Sequence, residues 1–565
     1  MKSGAHSMRL SGSIVRAGLV APAALLFAVM LMWPLFNILL RSLNLKGRAS
    51  IADGIYWGHY VALAQDTLLR QVVLHSLMLA VVATAVTALL AFPTAYIISR
   101  LSRSLSSLMM VAVLMPFWVS IIVRLFAFTT ILGTQGIINS GLGLIGIGPL
   151  PLLYNTFATI TGMVAYLLPY LILILVSAMR SIDVSLLTAA RTMGAPERRV
   201  FLDIYFPQIR PALLSGMLLV FVLALGFFLT PAILGGPYNL TIPIFIQQQI
   251  QIFQWGKAAA MGIVLLAVSV LGYLISLRIA GSGILSPSER GTRGAAADEP
   301  LRATPVTLLC WAALALVMII LISPLLVVMP TAFTETTQIR FPPVGFTGKW
   351  FAEVLTSEMW IGAFLKSIRV ALATGVLAGL MGLGLARAAS RMESRMLQAV
   401  IQAAAIAPLI VPVILLAIGI FDIQGRLGLI GTDVGLILAH TLLCVPLTFL
   451  IFANALAFVD LSIEQASWTM GAGHIRTFWR IVVPGMMPSV IGSFLISFVT
   501  SWDEAVIAMF QTELDKTLPV TIYSLLKSGI TPAVSAVATI ITAPVLIGAI
   551  FFGLRALRKP SLQTS

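Results

Sequence analysis

Charge is scarce in this chain. Asp, Glu, Lys and Arg supply 10% of its 565 residues, against about 25% in soluble globular domains. That excludes an ordinary water-soluble enzyme. It also excludes a disordered chain, which stays unfolded through high charge and low hydrophobicity. Only two cysteines occur, Cys310 and Cys444, both inside apolar runs, so neither a disulfide scaffold nor a Cys-based zinc site is expected. The five histidines (His6, His59, His75, His440 and His474) show no ligand spacing, and no metal site is expected. No G-x-x-x-x-G-K-[ST] phosphate loop lies between the apolar runs. A membrane-embedded enzyme is disfavoured too, since no His, Asp or Ser constellation converges at one depth.

What the chain has is apolar length. Apolar residues make up 59% of it, and a crossing helix needs about 20. Twelve spans are expected, near 16–41, 72–99, 107–133, 156–179, 211–235 and 259–279, then 305–331, 362–389, 398–421, 433–458, 488–512 and 532–557. The fold class is an all-α polytopic membrane protein. The first run is too long for a secretory signal and lacks a small-residue cleavage pattern, so it reads as a retained helix. The net charge of +15 follows topology rather than nucleic acid. With the N-terminus in the cytoplasm, 22 Lys and Arg fall in inside segments and 12 outside. That excess places both termini inside.

The halves repeat. Residues 76–100 align with 367–391: Ser76 with Ser367, and Ser99-Arg100 with Ser390-Arg391, at an offset of 291. Further on, Asp183, Gly194, Ile204 and Pro207 align with Asp460, Gly471, Ile481 and Pro484 at an offset of 277. Six spans per half give both halves the same orientation, a parallel repeat. The expected domains are 1–279, with a distinctive loop at 183–210, and 305–565, with its counterpart at 460–487. The stretch 280–304, rich in Gly, Ala, Ser and charge, reads as a flexible linker.

The two loops share the pattern x-A-[AS]-x3-G-x9-I-x-[FV]-P. The first copy is Thr188, Ala189, Ala190, Gly194, Ile204, Phe206 and Pro207; the second is Gln465, Ala466, Ser467, Gly471, Ile481, Val483 and Pro484. This spacing predicts two short helices around a glycine break. Asp183 or Ser185, and Asp460 or Ser462, would cap the first helix. Gly194 and Gly471 would take a positive φ. The prolines would start the next helix, and the small residues (Ala189-Ala190, Ala466-Ser467) would let another surface approach closely.

These residues resemble the EAA motif (E-A-A-x3-G-x9-I-x-L-P) of permease subunits in binding-protein-dependent ABC importers. The motif's glutamate is replaced by Thr188 and Gln465, and Glu464 lies one residue earlier. The resemblance implies two type I (MetI-like) transmembrane domains fused in one chain, in the inner membrane. It implies coupling helices that seat on two separate ATPase subunits, which bind ATP-Mg, and a periplasmic solute-binding protein. This chain would then hold no cofactor and catalyse nothing. Within the family, PFWVSIIVR (116–124) and LTPAILGGP (229–237) resemble the first permease of spermidine/putrescine importers. SWDEAVIAMF (501–510) and the segment 518–540 resemble the second. The resemblance points to a small cationic or zwitterionic solute, polyamine-like, with opines, 2-aminoethylphosphonate and ferric iron as alternatives. An ion-coupled secondary transporter is the competing class. Its charged loop would fall between spans two and three, where this chain has only RLSRSLS.

Three ionisable residues fall within or near spans: Arg124, Asp503 and Glu504. A charge at mid-bilayer costs at least about 2.5–3.5 kcal/mol, so each needs a partner or water. Asp503 is the expected stabiliser of a passing ammonium group, with Trp502 for cation–π contact and Tyr523 at the outer mouth. The alternative is a structural ion pair, Arg124 with one carboxylate. The outside acids, Asp433 and Asp515 among them, are expected to be solvated.

Overall fold

Within a membrane the backbone can satisfy its hydrogen bonds only internally, so apolar runs of about 20 residues form helices. The computed structural model describes residues 17–280 and 304–558, apart from 51, 53, 238, 338, 340, 393 and 530. Among them all regular structure is helical. Among the described residues, nine helices are long and apolar enough to cross a membrane, or eleven if each of two bent pairs is one span. The linker residues 281–303 and the cations at Lys2, Arg9 and Arg16 lie outside the described residues.

Several expected spans are broken. The run near 107–133 divides into Arg103–Leu114 and Ile121–Leu132, with a tight turn at Met115–Trp118 containing Pro116. The run near 398–421 bends by 97° between Arg395–Ile410 and Val413–Leu427, at Pro412. The fifth and eleventh runs stop at Leu225 and Asp503, each followed by a separate six-residue helix, Leu229–Leu234 and Val506–Gln511. The first three breaks are apolar on both sides, so a hydropathy pattern runs through them unchanged; the fourth carries Asp503 and Glu504.

The repeat extends to single hydrogen bonds. Ser76 Oγ accepts from the Ile242 backbone N–H at 2.8 Å, and Ser367 Oγ accepts from Leu518 N–H at 2.8 Å. The two aligned serines thus hold the starts of Ile242–Gln251 and Leu518–Ser528. In the second repeat, Glu358–Ser390 crosses Asp433–Ala457 so closely that a Cβ on Gly382 would lie 2.0 Å from Thr448 Oγ1. Small residues at such crossings let membrane helices reach van der Waals contact.

The compact units do not follow the sequence halves. One gathers the described residues up to Tyr56 with Glu358–Thr521; the other gathers those of Trp57–Ser357 with those from Ile522 on. In the first unit the helix Ala17–Ser42 lies along the second repeat. Its Leu19 carbonyl sits where a Gly384 Cβ would come within 2.7 Å, and Arg41 pairs with Asp422 at 2.6 Å. In the other unit Pro305–Thr331 packs on Thr67–Arg100 and Ile121–Leu132 of the first repeat, and Thr331 Oγ1 donates to Ser535 Oγ at 3.0 Å. Pro305–Thr331 is apolar on every side, so its sequence encodes no preferred neighbour.

Candidate functional site

Both distinctive loops are built alike from their residues upward. Asp183 accepts from Ser185 N–H, and Asp460 from Ser462 N–H, each at 2.9 Å. These caps open the helices Val184–Thr192 and Leu461–Thr469. Gly194 (φ +83°) and Gly471 (φ +87°) then reverse the chain. Ala195 N–H bonds back to Ala190 C=O and Gly194 N–H to Arg191 C=O; Ala472 to Ser467 and Gly471 to Trp468 repeat the pair. This is the Schellman closure that a left-handed glycine permits. One π-helical turn follows in each copy, Val200–Tyr205 and Phe478–Val482. Pro207 and Pro484 sit in the first turn of the next helix. Ile204 and Ile481, just before them, are half-buried.

The exposed faces are also alike. Leu186, Ala189 and Met193 form an apolar stripe along the first loop helix, and Ile463, Ala466 and Met470 occupy the same places in the second. Leu186 and Ile463 are 50% and 52% exposed, Met193 and Met470 87% and 82%. A polar stripe runs beside each: Ser185, Thr188 and Thr192, then Ser462, Gln465 and Thr469, all exposed. Ser467 departs from expectation. It is buried and shares a 2.9 Å hydrogen bond with Thr477, so it closes the loop rather than facing outward. Ala190 is half-buried. Sequence reasoning stopped at the small residues and missed the four large apolar ones around them. Their spacing of three and four was the available signal.

Behind the stripes the two loops are held differently. In the first, Arg191 Nε pairs with Glu197 Oε1 at 2.9 Å. At the aligned positions of the second, Trp468 meets His474 edge to face at 4.4 Å. Leu187 is buried under the first loop helix. Its counterpart, Glu464, is 1% exposed and takes Arg387 on both oxygens (3.0 and 2.5 Å) and Arg391 at 2.6 Å. Burial pushes the Glu464 carboxyl up, but hydrogen bonding and charge from Arg387, then Arg391, outweigh it and hold it below its ordinary value.

The capping acids also sit below the usual carboxylate range. Asp183 is lowered by the Ser185 hydroxyl and then its N–H, Asp460 by the Ser462 N–H and then its hydroxyl. A lowered folded pKa stabilises above the unfolded value and is lost as pH falls through the folded one. Removing a cap costs helix stability. Asp460→Ala is therefore expected to speed amide exchange at 462–465 at neutral pH. The native loop is expected to lose the same protection, relative to the intrinsic exchange rate at each pH, only once pH falls below the ordinary Asp range. Exchange mass spectrometry at pH 7 checks it.

The intramembrane charges resolve individually. Glu504 turns inward at the break after Asp503. Its oxygens accept from Ile507 N–H (2.9 Å) and Ala508 N–H (3.0 Å), capping Val506–Gln511. His440 Nε2 lies 3.4 Å away, and His440 Nδ1 is 2.8 Å from Ser501 Oγ. Glu504, expected beside the pathway, thus holds the two sides of the break together. Asp503 and Trp502 are half-buried; Trp502 stacks on Phe498 and meets Phe364 edge-on. Arg124 is 7% exposed and lies over the Tyr166 ring at 5.4 Å. Tyr166 in turn meets Tyr170 and Phe227, so Arg124 sits on an aromatic cluster. Tyr523 is buried beneath Lys527. Two of the acids expected to be solvated are paired. Asp515 (2.8 Å) and Asp433 (3.7 Å) receive Lys366, which is 1% exposed.

Two stretches of the chain, residues 83–281 and 371–560, match the family described as "Binding-protein-dependent transport system inner membrane component". The spermidine/putrescine transport system permease protein PotB of Escherichia coli (strain K12) is 33% identical over 216 residues, covering 38% of this chain and 78% of that protein. The corresponding permease protein PotC of Haemophilus influenzae (strain ATCC 51907 / DSM 11121 / KW20 / Rd) is 28% identical over 198 residues, covering 35% and 76%. Among solved structures, a bacterial alginate ABC transporter in complex with alginate pentasaccharide-bound periplasmic protein matches 48% of this chain and 96% of its own, with 17% identity and a TM-score of 0.42.

Proposed function

The chain belongs to the binding-protein-dependent transport system inner membrane components, as a fused two-domain MetI-like permease, and from that premise we propose what it moves and what drives it. The solute is small and cationic or zwitterionic, of the polyamine class. The driving force is ATP hydrolysed by two separate ATPase subunits, one seated on each loop. A periplasmic binding protein delivers the solute. The permease domains run over 1–279 and 305–565, joined by the 280–304 linker, with both termini in the cytoplasm.

One observation carries this reading. Two loops at a fixed sequence offset expose the same apolar stripe, on the same capped helix, closed by the same left-handed glycine. Exposed apolar residues rimmed by polar ones mark an interaction site. Duplicated in both repeats, the stripe suits a partner present in two copies. The polyamine class is supported by the relatives' own substrates. Asp503, at the break of a membrane helix, is the residue proposed to meet the ammonium group.

Reconstitution tests the reading. Vesicles holding the chain, its ATPases and ATP are expected to accumulate radiolabelled spermidine only when the binding protein is present outside. Comparable uptake by the chain alone on a proton or sodium gradient would replace it with a secondary transporter.

A further inference from the structure

The two coupling loops share a backbone but not a joint to the rest of the protein. In the first repeat the joint is apolar and aromatic. Leu187 is buried, and Arg100 lies over the rings of Tyr96 (4.5 Å) and Tyr205 (5.5 Å). In the second it is ionic. Glu464 stands where Leu187 stood, Arg387 where Tyr96 stood, and Arg391 where Arg100 stood. Both arginines come from the helix Glu358–Ser390 and its end, whose aligned serine also fixes Leu518. Each also covers a ring of the loop: Arg387 over Phe478 at 5.2 Å, Arg391 over Trp468 at 6.0 Å.

We propose that Glu464, held by Arg387 and Arg391, is the positioning residue that transmits movement of the second coupling loop to its membrane helices, while the first loop transmits through apolar and aromatic packing with leucine in place of the carboxylate. This rests on the reading of both loops as ATPase-coupling elements. The physical ground is directionality. A buried carboxylate with both oxygens engaged by forked guanidinium groups fixes orientation as well as distance. Leucine in an apolar pocket resists separation but tolerates sliding. Breaking a buried pair by removing one partner also leaves an uncompensated charge, so the joint cannot loosen gradually. Glu464 does not belong to the exposed stripe. Its loss therefore affects transmission and leaves docking intact.

The test uses the full complex in vesicles and reads spermidine moved per ATP hydrolysed. Glu464→Gln keeps the shape and removes the charge. It is expected to retain both ATPases on purification and to hydrolyse ATP. Its solute-to-ATP ratio is expected to fall at least about tenfold, within the range of coupling free energies. Glu464→Asp is expected to recover most of that loss. Leu187→Met, the same test of the first joint, is expected to leave the ratio within about twofold. A native ratio in Glu464→Gln overturns the proposal, as does loss of the ATPases in both Glu464→Gln and Glu464→Asp. Failure of the underlying reading looks different: the unmutated chain then retains no ATPase.

Discussion

A chain carrying Ala189→Glu with Ala466→Glu is expected to insert into the membrane at the native level and to lose its ATPase subunits on purification. Both alanines lie mid-stripe, exposed, between Leu186 and Met193 and between Ile463 and Met470. Neither faces the protein interior, so folding has no reason to fail. A docking partner that covers the stripe would bury each new carboxylate without a cation. Desolvating an ion costs several kcal/mol. Even about 2 kcal/mol per loop, over two loops, weakens association about a thousandfold. Thr188→Glu with Gln465→Glu is the control. These positions lie on the neighbouring polar stripe, where the EAA motif carries its glutamate, and the ATPases are expected to stay bound. Pull-down through a tag on the permease reads both. Retention in the alanine double variant would show that the stripe is not the docking surface.

The second large effect separates two adjacent acids. Glu504→Ala is expected to destabilise the protein by about 3 kcal/mol or more, since two buried N–H groups lose their acceptor. Those groups are Ile507 and Ala508, which open a helix whose Ala508 lies in a core cluster with Val370, Leu436 and Val520. Asp503→Asn, one residue earlier, is expected to leave thermal unfolding in detergent almost unchanged. Its cost falls on uptake of a cationic solute, by about ten- to a hundredfold, the worth of one charge-assisted hydrogen bond at roughly 1.5–3 kcal/mol. Unchanged uptake would remove Asp503 from the pathway. Unchanged stability in Glu504→Ala would mean the break is held by other contacts.

Much of each loop is legible in its own residues. Asp183 and Asp460 cap, Gly194 and Gly471 turn left-handed, and Pro207 and Pro484 enter the next helix. Each of these is a local rule, satisfied within a few residues of chain. Ser467 escapes such rules. Its aligned partner, Ala190, has no hydroxyl to draw inward, whereas Ser467 finds Thr477 ten residues on. Glu464 reads in the sequence only as an acid one residue short of the motif's glutamate. Its partners lie 77 and 73 residues away on another helix, beyond any local pattern.

Composition, period and spacing alone determined that this is a helical membrane protein, that it is duplicated, and that each copy carries one capped, glycine-closed loop. These properties follow from hydrophobicity and backbone geometry, which act along the chain. Tertiary structure alone decided which helices exchange between repeats, where spans break, that Arg124 lies over the Tyr166 ring, and that one loop is jointed by charge and the other by packing. Those outcomes depend on which surfaces meet. Uniformly apolar helices present many nearly equivalent surfaces, so the choice rests on steric fit and on the few polar groups that must find partners.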